Sequence, residues 1–257
     1  MSRDFRDHFS GHAATYARAR PSYPPELYTW LASQSASHAL AWDAGTGNGQ
    51  AAIALADHFE QVHATDASAA QIAAATPHPR VHYAVEPAEH CSLPAASADL
   101  VLIAQALHWL DIPAFHREVA RVLRPDGVYV ALCYGLLSIA ADIDACLHAF
   151  EHGVVGPWWP PERALIDAAY ADIRFPGRAV EVPRFEMRRN WSLEELLGYL
   201  ESWSAVQRYR KAQARDPLPD LGAQLRPLWG AGARVVRWPL TVIARTGLVD
   251  DPALGIR

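Results

Sequence analysis

At 257 residues with 51% hydrophobic side chains, the chain can bury a full core, and the usual domain size allows one large domain or two small ones. The net charge is −5 and the basic residues are scattered, with Arg188–Arg189 and the stretch from Arg208 to Lys211 the only clusters, which argues against a nucleic-acid partner and its broad cationic face. Cys91, Cys133 and Cys146 are odd in number and lack metal-type spacing, and no apolar run reaches the ~20 residues of a membrane span, so a soluble, cytoplasmic protein with reduced thiols and no membrane partner is expected.

The chain opens with MSRDFRDHFSG, where charges alternate with aromatics in a pattern unlike a signal peptide. Phe5, Phe9 and Tyr16 recur at helical spacing, RPSYPP (20–25) interrupts the helix, and Pro25 suits the first turn of a second helix carrying Leu27, Trp30 and Leu31. Residues 1–38 therefore read as a helical lid. From 39 the pattern alternates: strands are predicted near 39–43, 61–65, 81–84, 99–104 and 127–133, with helices near 49–58, 68–75 and 112–123, which argues for a doubly wound α/β fold. This stretch, 39–135, is the expected cofactor-binding core. Helical segments near 138–150, 160–170, 192–203 and 217–229 follow, with one further core strand near 179–187. They make 136–233 a mainly helical insertion within a single domain, before a β-branched final strand at 234–245 and a loose tail.

The loop after the first strand, DAGTGNG (43–49), carries glycine at every second place, so its backbone can approach a ligand closely. A dinucleotide fingerprint needs its third glycine five positions after the first, where this chain has Gln50. A Walker loop needs a lysine after its last glycine, and the chain's single lysine is Lys211. Asp66, at the end of the second strand, is placed to accept both hydrogen bonds of a ribose diol. An adenosine cofactor is thus expected. Asp43 at the end of the first strand distinguishes among such cofactors, because a carboxylate repels a diphosphate and attracts a sulfonium.

Six motifs, DAGTGNG (43–49), TD (65–66), PAEHCSLP (87–94), SADLV (97–101), QALHWLD (105–111) and LRPDG (123–127), stand in the order and spacing found in class I S-adenosylmethionine-dependent methyltransferases, which the chain resembles. With RPSYP (20–24), WSA (203–205) and LWG (228–230), it is similar to the methyltransferase type 11 subgroup that includes trans-aconitate methyltransferase-like proteins. The resemblance implies a Rossmann-like, mostly parallel seven-stranded sheet with an antiparallel last strand, and S-adenosyl-L-methionine as cofactor. It also implies contacts: Gly45, Thr46 and Gly47 to the methionine part, Asp66 to the ribose, Ala67 to the adenine face, Ala88 and Glu89 to the adenine edge, Gln105 near the methionine carbonyl or amine. Tyr16 and Arg20 would close over it, Arg20 as a partner for its carboxylate.

Methyl transfer from a sulfonium needs alignment above all, and a base only where the acceptor arrives protonated. His108 is the candidate base; alternatively it orients Trp109. The expected acceptor is a small molecule, with a carboxylate preferred. A nicotinamide-dependent oxidoreductase and a non-catalytic cofactor-binding protein are the competing readings. No metal is expected, since His63, His108, Asp111 and His116 lack ligand spacing.

Overall fold

The computed structural model describes residues 21–248, so the helix expected around Phe5–Tyr16, together with Tyr16 and Arg20, lies outside the described residues. The described chain begins with α1 (Pro25–Gln34), whose first-turn proline pre-sets the helical φ and whose Leu27, Tyr28 and Leu31 are buried. Then come β1 (Leu40–Ala44), α2 (Gln50–Leu55), β2 (Gln61–Asp66), α3 (Ala69–Ala73), β3 (Val81–Val85), β4 (Ala98–Ala104), α4 (Ile112–Val122) and β5 (Leu123–Cys133). Helix starts are set by side chains that satisfy orphan N–H groups: Ser68 caps Gln71 and Asp111 caps Ala114.

The strands form a seven-stranded sheet in the order β3-β2-β1-β4-β5-β9-β6, where β6 is Arg178–Ala179 and β9 is Thr241–Thr246. All neighbours from β3 to β5 pair in parallel, and β9 runs antiparallel to both β5 and β6. One face of the sheet, with Ala41, Leu100, Leu102 and Val130, packs on α1 and α2. The other, with Trp42, Val101, Ile103 and Tyr129, packs on α4 and on Ile166, Tyr170 and Phe175. Burial on both faces is why β4 after Asp99 reads as a continuous apolar run (LVLIA, 100–104) without alternation. The strand order reverses between β1 and β4, so their carboxyl ends open the crevice where doubly wound sheets bind ligands.

Beyond β5 come α5 (Ala141–Ala149), a π turn (Phe150–Val154), α6 (Arg163–Asp167), β7 (Glu186–Trp191), α7 (Leu193–Glu201), α8 (Ser204–Gln213), α9 (Leu218–Trp229) and β8 (Arg234–Pro239). The structure corrects the strand reading here. The run expected at 179–187 divides into the short edge strand β6 and the start of β7, and β7 pairs with β8 in a separate antiparallel ribbon. The expected final strand 234–245 likewise breaks after Pro239, which has no N–H to continue a ladder: β8 serves the ribbon and β9 the main sheet. Helix α8 gives no helical signal in the sequence, because its polar stretch QRYRK hides the buried Ala205 and Val206. These helices and the ribbon share a third core, rich in aromatics. No helix among the described residues is long and apolar enough to cross a membrane.

Candidate active site

The glycine loop turns through the left-handed region at Gly45 (φ +67°), Gly47 (+58°) and Gly49 (+87°). Two of these positions exclude a side chain for a second reason. A Cβ on Gly45 would stand 2.7 Å from the Ala106 Cβ, in the turn that follows β4, and one on Gly49 would collide with the Tyr83 ring. The backbone between them is anchored on β2: Thr46 N–H donates to the Thr65 carbonyl (2.9 Å), and Gly47 N–H donates to Asp66 Oδ2 (2.9 Å). Asp66 Oδ1 accepts from Ser68 N–H (2.8 Å), so one carboxylate joins the loop to the start of α3. Beneath them Trp42 Nε1 donates to Thr65 Oγ1 (2.9 Å).

Asp43 is 1% exposed. Its Oδ2 accepts from Thr46 Oγ1 at 2.5 Å, while Oδ1 has no partner of normal hydrogen-bond geometry. Burial pushes its carboxyl up to about 7; the Thr46 hydroxyl, and with poorer geometry the Ala52 N–H, oppose that, and the charge of Asp66 adds to it. Among the described residues no cation offsets this charge. Tyr28 on α1 is raised too, by burial and then by Asp43.

Across the crevice, Gln105 follows β4 with φ +56°, a conformation L residues rarely adopt. Its amide bridges to the end of β5, Oε1 accepting from Tyr134 N–H (3.0 Å) and Nε2 donating to the Tyr134 carbonyl (3.1 Å). Each amide atom still has capacity for one further bond. His108, 4% exposed, lies in a 3₁₀ turn (Leu107–Trp109) against Trp109, with Nδ1 3.1 Å from the Tyr170 hydroxyl. Glu89 Oε1 accepts from Asp111 N–H (3.0 Å), tying the chain after β3 to the start of α4, and Ala88 beside it is buried. Ala67, after Asp66, is half-buried.

A methyltransferase-domain family model matches residues 42–131, from the middle of β1 to near the end of β5. A Dictyostelium discoideum protein with a methyltransferase name is 34% identical over 222 residues, covering 84% of each chain. A methyltransferase of Aspergillus candidus is 31% identical over 208 residues, 70% of this chain and 64% of that one. A solved Anaeromyxobacter dehalogenans structure described as a type II methyltransferase superposes with a TM-score of 0.84 at 41% identity, covering 89% of this chain and 98% of that one. The chain belongs to the class I S-adenosylmethionine-dependent methyltransferases.

For a methyltransferase of this class the crevice has the right chemistry. The buried Asp43, with no cationic partner among the described residues, suits once ionised a cationic amino acid and sulfonium, whereas the phosphates of a nicotinamide cofactor would be repelled by it. The oxidoreductase reading is set aside by the family, and so is a binding protein without activity. The sequence missed Tyr28, Tyr134 and Tyr170. Tyr134 follows β5 as Gln105 follows β4, a spacing that could have been noticed, but Tyr170 lies 62 residues from His108 and left no local signal. A surface cleft of about 370 Å³ between α7 and α9, lined by Leu197, Asp216, Gly222 and Arg226 among others, includes none of these residues.

Proposed function

We propose that this methyltransferase methylates a small organic acid on a carboxylate oxygen. The observation that carries the reading is a pair of buried indole N–H groups, Trp159 Nε1 and Trp238 Nε1, neither of which has an acceptor among the described residues. Buried donors in native proteins are nearly always satisfied, and a carboxylate brings only acceptors. The two rings belong to one aromatic run: Trp159 packs on Trp203 (5.3 Å between centroids), Trp203 on Tyr199 (6.1 Å) and Tyr199 on Trp238 (5.5 Å). Tyr134 belongs to the same core and bonds Gln105 just after β4, so this aromatic core reaches the crevice at Tyr134. The resemblance to trans-aconitate methyltransferase-like proteins supports the same class of acceptor.

In this reading the Gly45–Gly47 backbone and Asp43 hold the methionine part, with Thr46 fixing the Asp43 carboxylate. Asp66 binds the ribose, Ala67 and the Ala88–Glu89 pair bound the adenine, and Gln105 backs the methionine from β4. Tyr16 and Arg20 are proposed to cover the site from outside the described residues. The cofactor supplies a methyl group on a sulfonium with a neutral leaving group; the residues supply alignment and exclusion of water, worth up to roughly 7–11 kcal/mol in favourable cases. A carboxylate acceptor is already ionised and needs no base. A protonated acceptor would draw on His108, and through Nε2, since Nδ1 faces the Tyr170 hydroxyl.

The test is a screen of small acids, phenols and amines with methyl-labelled cofactor, followed by Trp159→Phe and Trp238→Phe on the best acceptor. Methyl esters should form, and each variant should raise KM several-fold with little change in kcat. Exclusive turnover of phenols or amines would overturn the carboxylate reading while leaving methyl transfer intact.

A further inference from the structure

Away from the crevice, the end of α5 brings together three side chains that nothing in methyl transfer requires. His148 and His152 stand four residues apart, a spacing that puts two imidazoles on one helical face and recurs in zinc sites. Both are exposed, and their rings stack at 5.7 Å with 15° between planes. Glu151, between them in the chain, is buried where the helix widens into the π turn. One ligand atom from each of the three lies within 4.8 Å of the others, and Glu151 Oε2 is 3.7 Å from His152 Nε2.

We propose that His148, Glu151 and His152 form a binding site for a divalent, imidazole-preferring cation of the zinc class. Two neutral imidazoles and one carboxylate are a common zinc ligand set, with bonds of ~2.0–2.2 Å that a rotation of the exposed rings can reach. The charge around the site suits a cation. Arg163 Nη2 donates to Glu151 Oε1 (2.6 Å), and the same guanidinium donates from Nε to Asp167 (2.8 Å), so one positive charge faces two carboxylates. Glu151 Oε2 points instead to the histidines, and a metal bound there leaves the arginine pair intact. Among the described residues, the groups that act electrostatically on Glu151 are Arg163, His152, Asp167 and His148.

The ion would act as a clamp. Glu151 holds Arg163 at the start of α6, and the Arg163 guanidinium lies 4.4 Å over the Trp159 ring. Occupancy therefore stiffens the contact between α5, α6 and the aromatic core, and ligation of the native state adds stability by mass action. The site stands on its own residues and does not depend on the identity of the methyl acceptor.

Calorimetric titration of zinc chloride into the full chain tests it, alongside a His148→Ala/His152→Ala double variant and Glu151→Gln. The expected result is one tight site per chain in the native protein and a loss of at least tenfold in affinity in the double variant, with a zinc-dependent rise in melting temperature that the double variant lacks. The two histidines are exposed, so their removal leaves the fold in place, and melting without metal checks this; Glu151→Gln, which disturbs the Arg163 pair, is read only if its metal-free melting is unchanged. Unaltered zinc affinity in the double variant, or no binding by the native chain, would overturn the proposal.

Discussion

The Gly47 N–H donates to the Asp66 carboxylate at 2.9 Å, so the glycine loop is fastened to the acid that would hold the ribose. The shape of the loop and the position of the acid are therefore one structural variable. Asp66→Ala removes the acceptor for the Gly47 and Ser68 N–H groups at once, each deprived donor costing about 1–3 kcal/mol where it is buried. Adenosylhomocysteine affinity should fall by at least about tenfold. Asp66→Asn keeps one acceptor and should fall between the two. A calorimetric Kd for Asp66→Ala equal to that of the native protein would remove Asp66 from the cofactor site.

Asp43 makes cofactor binding pH-dependent in a direction the structure specifies. Its carboxyl is pushed up from 3.8 to about 7 in the cofactor-free protein, mainly by burial. Between those values the native state holds a proton that the unfolded chain has released, so raising the pH across that window removes stability from the cofactor-free protein. A cationic ligand favours the ionised carboxylate, so affinity should rise with pH up to about 7 and then level, with a proton released on binding below it. Titrations in buffers of different ionisation enthalpy count that proton. A flat affinity from about pH 5.5 to 7.5, with no proton release, would detach Asp43 from the cofactor.

Gly45 separates backbone strain from steric collision. Alanine there must hold φ +67° and place its Cβ 2.7 Å from that of Ala106. Positive φ alone costs roughly 1–2 kcal/mol for an L residue, and the collision adds to it. Gly45→Ala should therefore lower the melting temperature and weaken cofactor binding, and adding Ala106→Gly should restore part of the loss. If the double variant is no more stable than Gly45→Ala, the collision contributes nothing and strain explains the whole effect.

This loop was legible in the sequence because its chemistry is local: strand, alternating glycines and helix follow one another within a dozen residues, and Asp66 sits at the end of the next strand. The expectation that 179–187 and 234–245 were single strands failed for a nonlocal reason. Both segments are β-competent throughout, and each is shared between two sheets, β6 and β9 pairing in one and β7 and β8 in the other. Only Pro239 hinted at the division. The amphipathic face of α8 was hidden in a similar way, since its burial depends on neighbours far along the chain. Residues that answer to distant partners, such as Tyr170 beneath His108, carry no spacing to read.

His108 is where chemistry and architecture give opposite expectations. It is buried, stacked on Trp109 at 4.8 Å, with Nδ1 held at 3.1 Å from the hydroxyl of Tyr170. Burial raises that phenol far above its ordinary range, so Tyr170 stays a neutral phenol, and in the tautomer that leaves Nε2 basic Nδ1–H donates to its oxygen. A residue that only shapes the wall should tolerate glutamine, and Tyr170→Phe should then reduce stability by about 0.5–1.5 kcal/mol, the net value of one hydrogen bond, with kcat unchanged. A general base contributes roughly 10²–10⁴-fold, so His108→Gln would lower kcat by that factor and remove the acidic limb of the pH–rate profile. With a carboxylate acceptor the first outcome is expected: less than tenfold loss in kcat for His108→Gln at saturating cofactor, and no change in the profile. A loss of a hundredfold or more with cofactor affinity preserved would make His108 the base and point to an acceptor that arrives protonated.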